Sequence, residues 1–158
     1  MKLVVMGVSG CGKTSVGEAL AKKLSSTFID GDDLHPQSNK EKMAAGVALT
    51  DKDRWPWLAE VGKASANQSN IVVACSALKR SYRDKIREFE PAVRFIHLHG
   101  TRELLEQRVS SRENHFMPAS LLDSQLATLE KIEPDENGQE FDISKPVSQL
   151  VDEVIAWL

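Results

Sequence analysis

The sequence predicts a single α/β domain built around a five-stranded parallel sheet, and three observations carry that expectation. Short apolar runs alternate with longer amphipathic stretches, the order that generates βαβ units. A length of 158 residues suits one compact domain. Apolar residues at 41% and charged residues at 27% are ordinary globular usage, enough to bury a sizeable core and unlike a disordered or fibrous chain.

The strands are read at Leu3–Met6, Thr27–Asp30, Ile71–Ala74, Val93–Leu98 and, more weakly patterned, Glu140–Ile143, each bounded by Gly, Asp, Asn or Pro. Between them, Lys13–Leu24 carries Val16, Leu20 and Leu24 at four-residue spacing, and Pro146–Trp157 carries Val147, Leu150, Val151, Val154 and Trp157 on one helical face. Pro146 suits a first helical position. Further helices are expected at Ser38–Ala45, Pro56–Ala66 and Thr101–Ser111. The crossover from about 31 to 70 is long enough to be a small helical substrate-binding insertion, and about 112 to 140 reads as a lid and following loop.

Composition excludes several classes. The longest apolar runs, Ile71–Cys75 and Val154–Leu158, fall far short of the roughly 20 residues of a membrane span. Gly7, Ser9 and Gly10 interrupt the amino-terminal run before it becomes a signal peptide's apolar core, so a cytoplasmic, unprocessed chain is expected. Twenty basic against 23 acidic residues give a net charge of −3, which argues against a nucleic-acid-coating protein. Two cysteines, Cys11 and Cys75, are too few for a disulfide scaffold.

The strongest motif is Gly7-Val8-Ser9-Gly10-Cys11-Gly12-Lys13-Thr14, a complete G-x-x-x-x-G-K-[ST] set directly after a buried strand and directly before a helix. Its glycines let backbone amides turn inward around phosphate oxygens. Lys13 reaches the β/γ-phosphates, and the Thr14 hydroxyl is placed to ligate Mg2+. A nucleoside triphosphate, ATP, is the expected ligand. The guanine-reading N-K-x-D is missing, since the one Asn-Lys runs Asn39-Lys40-Glu41-Lys42, which disfavours a GTPase.

Asp30 and Asp32 stand two apart at the carboxyl end of the second strand, the edge where open α/β sheets bind ligands. The pair suits one carboxylate to hold Mg2+ through water and the other to accept a hydroxyl proton. The plainer reading is an acidic turn that caps the next helix, and it weighs more for Asp33. His35 is equally suited to donating to a polar substrate and to packing at a turn. Arg54, and Lys79 with Arg83 one helical turn apart, could grip an anionic substrate; a solvated basic face is the alternative. Arg108 and Arg112, leading into an insertion, suit a closing lid that brings cations over the transferring phosphate, or else merely complement a helix dipole. His97 and His99 read as a polar pair rather than a metal site, and Trp55 and Trp57 as packing.

Together, the phosphate loop, Asp30-Gly-Asp32-Asp33-Leu-His35-Pro, Lys42-Met43-x-x-Gly46, Leu49-x-Asp51-x-Asp53-Arg54-x-Pro56-Trp57-Leu58, Cys75-Ser76-Ala77-Leu78-Lys79-x-x-Tyr82-Arg83-Asp84 and His115-Phe116 closely resemble the gluconate kinases. The resemblance runs from residue 3 to about residue 130. It departs at Ala48, where Pro is usual, and at Asn114, where the lid often has Gly. It implies a three-layer P-loop kinase fold with a lid, ATP:D-gluconate 6-phosphotransferase activity, Mg2+ dependence, a homodimer and a cytoplasmic role. On matching positions it implies that Lys13 and Thr14 anchor phosphate and metal and that Asp32 is the base, which leaves Asp30 as the metal-side carboxylate of the pair read above. The resemblance also makes Arg54, Lys79 and Arg83, joined by His35, the gluconate contacts; His115 of the shared His115-Phe116 motif is expected with them, and Arg108 and Arg112 are expected to assist catalysis from the lid reading above. A kinase for another hydroxy acid such as shikimate, and a nucleotide-dependent switch with no acceptor, are the competing expectations.

Overall fold

The computed structural model describes residues 1–110 and 119–158. Five strands, β1 (Lys2–Met6), β2 (Thr27–Asp30), β3 (Ile71–Ala74), β4 (Arg94–His99) and β5 (Gly138–Asp142), form one parallel sheet in the order β2-β3-β1-β4-β5. Helices α1 (Lys13–Lys23), α2 (Gln37–Ala44), α3 (Asp51–Ala66), α4 (Arg80–Phe89), α5 (Arg102–Ser110), α6 (Ala119–Thr128) and α7 (Val147–Trp157) alternate with them. The expected parallel sheet is therefore present, with boundaries moved by one or two residues.

Strand alternation divides the core in two. Leu3, Val5, Val72, Ile96 and Leu98 point to one face, where Val16 and Leu20 of α1 and Leu150, Val151 and Val154 of α7 cover them. Val4, Met6, Ile71, Val73 and Phe95 point to the other, against Trp57, Leu58 and Val61 of α3 and Tyr82 and Ile86 of α4. Because both faces are covered, β1 beyond Lys2 and all of β3 are apolar instead of alternating with polar residues.

Three helix starts differ from expectation. Helix α3 begins at Asp51, not Pro56, because Thr50 and Asp53 form a reciprocal capping box that starts it five residues earlier. Pro56 lies inside the helix, where its ring removes one backbone donor. Lys79 does not share a helical face with Arg83, because it has extended backbone and precedes α4 as its N-cap. Pro146 likewise stands just before α7.

β1 sits at the centre of the sheet and β3 beside it. The segments that leave the carboxyl ends of β1, β2 and β3 therefore converge at one edge.

Candidate active site

The phosphate loop leaves β1 in a conformation that only its glycines permit: φ is +146° at Gly7, +85° at Gly10 and +92° at Gly12. A Cβ on Gly7 would lie 2.7 Å from Cys11 Sγ and 2.8 Å from the Leu98 carbonyl oxygen, so a side chain there would force the loop open. Val8 and Cys11 are buried, and the Cys11 amide donates to the Val8 carbonyl at 3.3 Å. Lys13 Nζ folds back over the loop and donates to the Gly7 and Val8 carbonyls at 3.0 and 3.2 Å. Helix α1 follows directly from Gly12, so its amino-terminal amides and positive dipole end face the loop, while Thr14 is exposed in the first turn.

Two other helices reach this loop. Gln125 Oε1 of α6 accepts from the Ser9 amide at 2.7 Å. Helix α5 packs so closely that a Cβ on Gly10 would come within 2.7 Å of Val109 Cγ2. Arg108 of α5 lies alongside, its Nη1 3.9 Å from the place a Gly12 Cβ would take, while its Nη2 donates to the Ile143 carbonyl. Arg112 and His115 lie outside the described residues.

The acidic segment follows β2. Asp30 Oδ1 accepts from the Asp32 amide at 3.0 Å and so caps a short 3-10 turn, Gly31–Leu34. The capping role weighed for this segment is real, and it also fixes where Asp32 points its backbone. Asp32 is an exposed residue, yet the surrounding protein strips enough water from its carboxyl to raise its pKa. The neighbouring Asp30 charge raises it further, Lys13 opposes, and Asp33 adds a smaller upward push. Lys13 and Asp32 thus act on each other across the carboxyl edge. Cys75 lies beneath both; burial pushes its thiol up to about 12, so it stays protonated and inert.

A second group continues from the 3-10 turn. Trp57 Nε1 donates to the Gly31 carbonyl at 2.7 Å, and the indole stacks on His35 at 4.0 Å between centroids. Trp57 is therefore more than packing. Asn39 Nδ2 donates to His35 Nδ1 at 3.2 Å and to the Asp53 carbonyl at 2.9 Å. With Nδ1 accepting, the ring proton belongs on Nε2. Desolvation, then Arg54 and Lys40, lowers the His35 pKa to about 4, so the ring is neutral near pH 7. Both roles weighed for His35 coexist here: it packs, and it keeps an oriented N–H.

Arg54 links this group to a third. Its Nη1 donates to the Leu49 carbonyl at 3.0 Å and to Tyr82 Oη at 3.2 Å. Tyr82 in turn donates to Asp51, and Lys79 Nζ approaches the two Asp51 carboxylate oxygens at 3.4 and 3.2 Å. Arg54 and Lys79, expected to share a substrate, are thus brought to one spot, with Tyr82 as an unforeseen third donor.

Arg83 departs from expectation. Its side chain is fully buried, and all five N–H groups are engaged: by Glu136, by the Ala77 and Leu78 carbonyls and by the Lys131 carbonyl. No donor is left for a substrate. Ala77 holds a φ of +43°, a costly left-handed conformation for a residue with a Cβ, so Arg83 clamps the strained turn that delivers Lys79. Sequence spacing could not show this, because its partner Glu136 sits 53 residues away in an acidic run that looks solvated.

The remaining pairs are quieter. His97 and His99 rings lie 6.1 Å apart, and no cluster of three metal-ligating side chains occurs among the described residues. No helix among the described residues is long and apolar enough to cross a membrane.

A parallel sheet with the order β2-β3-β1-β4-β5, a phosphate loop after its central strand and the carboxylates of Asp30 and Asp32 at the same edge are the architecture of a small nucleotide-binding phosphoryl transferase. A shikimate kinase family model matches residues 9–149. A gluconokinase of Gluconobacter oxydans is 52% identical, covering 81% of this chain and 74% of that protein. A probable gluconokinase of Xenopus tropicalis is 43% identical over 98% of this chain and 91% of its own. The crystal structure of a gluconokinase from Sinorhizobium meliloti superposes with a TM-score of 0.90 at 50% identity, covering 98% of this chain and 89% of that one. The chain belongs to the gluconokinase family, within the wider group of kinases built like shikimate kinase.

Proposed function

We propose that this chain transfers the γ-phosphoryl group of ATP to the primary hydroxyl of D-gluconate, giving 6-phospho-D-gluconate, with a division of labour set by its three side-chain groups. The phosphate loop residues Gly7 to Thr14 cradle the triphosphate, with Lys13 turning from the Gly7 and Val8 carbonyls to the β/γ-phosphates. Arg108, already beside Gly12, adds positive charge where the transferring group develops it negatively. Asp32 accepts the proton of the attacking hydroxyl, and its raised pKa makes it a better base than an ordinary carboxylate. Arg54, Lys79 and Tyr82 hold the acceptor's carboxylate, and the His35 N–H serves its hydroxyls.

Mg2+ suits the oxygen donors present. Burial and the neighbouring charges of Asp30 and Asp33 raise the proton affinity of Asp32, a cost that a hard cation relieves. Thr14 Oγ1 and an Asp30 oxygen would hold the ion, which neutralises charge on the β- and γ-phosphates when bound. The protein acts in the cytoplasm as a homodimer in this reading, which sedimentation and fractionation test.

The single observation that carries the reading is the placement of Lys13 and Asp32 within electrostatic reach at the phosphate loop, with the Arg54–Lys79 cation pair further along the same edge. ADP release from MgATP is measured with D-gluconate, with shikimate and with no acceptor. Release that depends on D-gluconate supports the reading; equal slow release in all three overturns it.

A further inference from the structure

The donors Arg54, Lys79 and Tyr82 already hold a carboxylate, and it belongs to the protein. Asp51 receives Lys79 Nζ at 3.2 and 3.4 Å and the Tyr82 hydroxyl, with Arg54 Nη1 at 3.9 Å. Tyr82 is oriented for this, because it accepts from Arg54 while donating to Asp51. Both cations also lie 5.5 Å from the centre of the Tyr82 ring, which is 3% exposed and gives the trio a rigid floor.

Asp51 opens α3, where its charge complements the helix dipole, but the capping hydrogen bonds do not come from its side chain. The start of the helix is held by Thr50 and Asp53, and Asp53 is held in turn by Lys42 at 2.9 Å. The Asp51 side chain is nearly half exposed, at 45%, whereas those of Lys79 and Arg54 are each 31% exposed. The carboxylate is thus on the open side of the trio, where an incoming ligand would meet it.

We propose that Asp51 is a resident surrogate for the acceptor's carboxylate: it occupies the Arg54–Lys79–Tyr82 clamp in the empty enzyme and is displaced when the acceptor binds. The idea rests on the gluconate reading above and extends it to a specificity device. Paired donors stay oriented without substrate, because the surrogate spares two neighbouring cations their mutual repulsion. A neutral polyol, which cannot replace the departing charge, is rejected. The displacement lowers acceptor affinity, and that loss is what an experiment reads.

The test compares wild type with Asp51→Asn and Asp51→Ala in steady-state assays, after circular dichroism has established that each variant is folded. The surrogate role predicts a KM for D-gluconate at least threefold lower in both variants, a KM for MgATP within twofold of wild type, and stronger inhibition by acetate, a simple carboxylate probe. An unchanged or higher KM for D-gluconate in either folded variant overturns it. Should the variants not fold, a crystal structure of the wild-type enzyme with D-gluconate decides: Asp51 more than 4 Å from Lys79 Nζ supports displacement, and a retained contact overturns it. Failure of the gluconate reading itself is distinguishable, since wild type would then show no D-gluconate-dependent ADP release.

Discussion

Arg83 and Glu136 form a fully buried, two-pronged ion pair, with Nε 2.6 Å from Oε1 and Nη2 3.0 Å from Oε2. It joins the first turn of α4 to the segment that precedes β5, and through the Ala77 and Leu78 carbonyls it holds the loop that ends in Lys79. Burial pushes the Glu136 carboxyl up, but hydrogen bonds from Arg83, the Glu133 amide and Arg87 outweigh it and bring its pKa to about 2.

Removing Glu136 leaves the buried Arg83 charge without its carboxylate, which costs about 3–5 kcal/mol, whereas removing Arg83 leaves Glu136 with Arg87 and the Glu133 amide and costs less. Glu136→Gln is therefore expected to lower the urea midpoint sharply, and Arg83→Met to lower it less. Arg83→Lys is expected to fail as well, because an ammonium cannot span both carboxylate oxygens and the two loop carbonyls. A midpoint within experimental error of wild type in Arg83→Met would show that the clamp is dispensable.

Asp32 must be ionised to accept a proton, and its pKa is raised above the usual 3.8. The acid limb of kcat/KM is expected at a pH above that value. Asp33 contributes to the upward shift, so Asp33→Asn should move the limb to lower pH, while Asp32→Asn should cut kcat by about 10²–10⁴-fold. Measuring both profiles checks the assignment; a limb that ignores Asp33→Asn counts against Asp32 as its source.

Two buried histidines make the fold acid-sensitive. Desolvation, followed by Arg54 and Lys40, lowers His35 to about 4. Desolvation also lowers His97 to about 4, against an opposing pull from Glu140 and with smaller downward pushes from His99 and Arg83. In the unfolded chain both take up a proton near 6.5. Between those values the unfolded state binds more protons, so this stability is fully present above pH 6.5 and is lost as the pH falls towards 4. Thermal melts from pH 7.5 to 4.5 should show the decline, and His97→Gln should make it shallower.

Gly31 packs where no side chain fits, since a Cβ would come 2.5 Å from the Ala74 carbonyl oxygen and 3.3 Å from Cys75 Cβ. Gly31→Ala is expected to cost about 1–3 kcal/mol by overpacking. It should also lower kcat, because the shift moves Asp32, the next residue. Gly46→Ala is the contrast: its added Cβ meets nothing within 4 Å, so only the φ of +76° opposes it, and kcat should hold.

The parts of this molecule that were legible in its sequence are those whose physics is local. Leu3–Met6 followed by the Gly7–Thr14 set announces a buried strand, a phosphate-binding turn and a helix within a dozen residues, and the structure has all three. The strand end at Asp30 was legible, but the two-residue spacing suggested extended backbone for Asp32, which instead lies in the 3-10 turn that Asp30 caps. The start of α3 carried a readable signal, Thr50-x-x-Asp53, but Pro56 drew the boundary instead. Long-range pairings left no such trace. The burial of Arg83 depends on Glu136, the support for Ser9 on Gln125, and the Arg54 cluster on Tyr82, each joined only by the fold.

The stacking of Trp57 on His35, with its indole N–H on the Gly31 carbonyl, places a natural fluorophore one residue from Asp32. Its emission is expected to be quenched when the histidine ring gains a proton and to shift when the turn beneath it moves. Trp57 would then serve as an optical probe of acceptor binding, free of any attached dye. Trp55→Phe and Trp157→Phe would leave Trp57 as the single emitter, and stopped-flow mixing could then time the arrival of the acceptor separately from phosphoryl transfer.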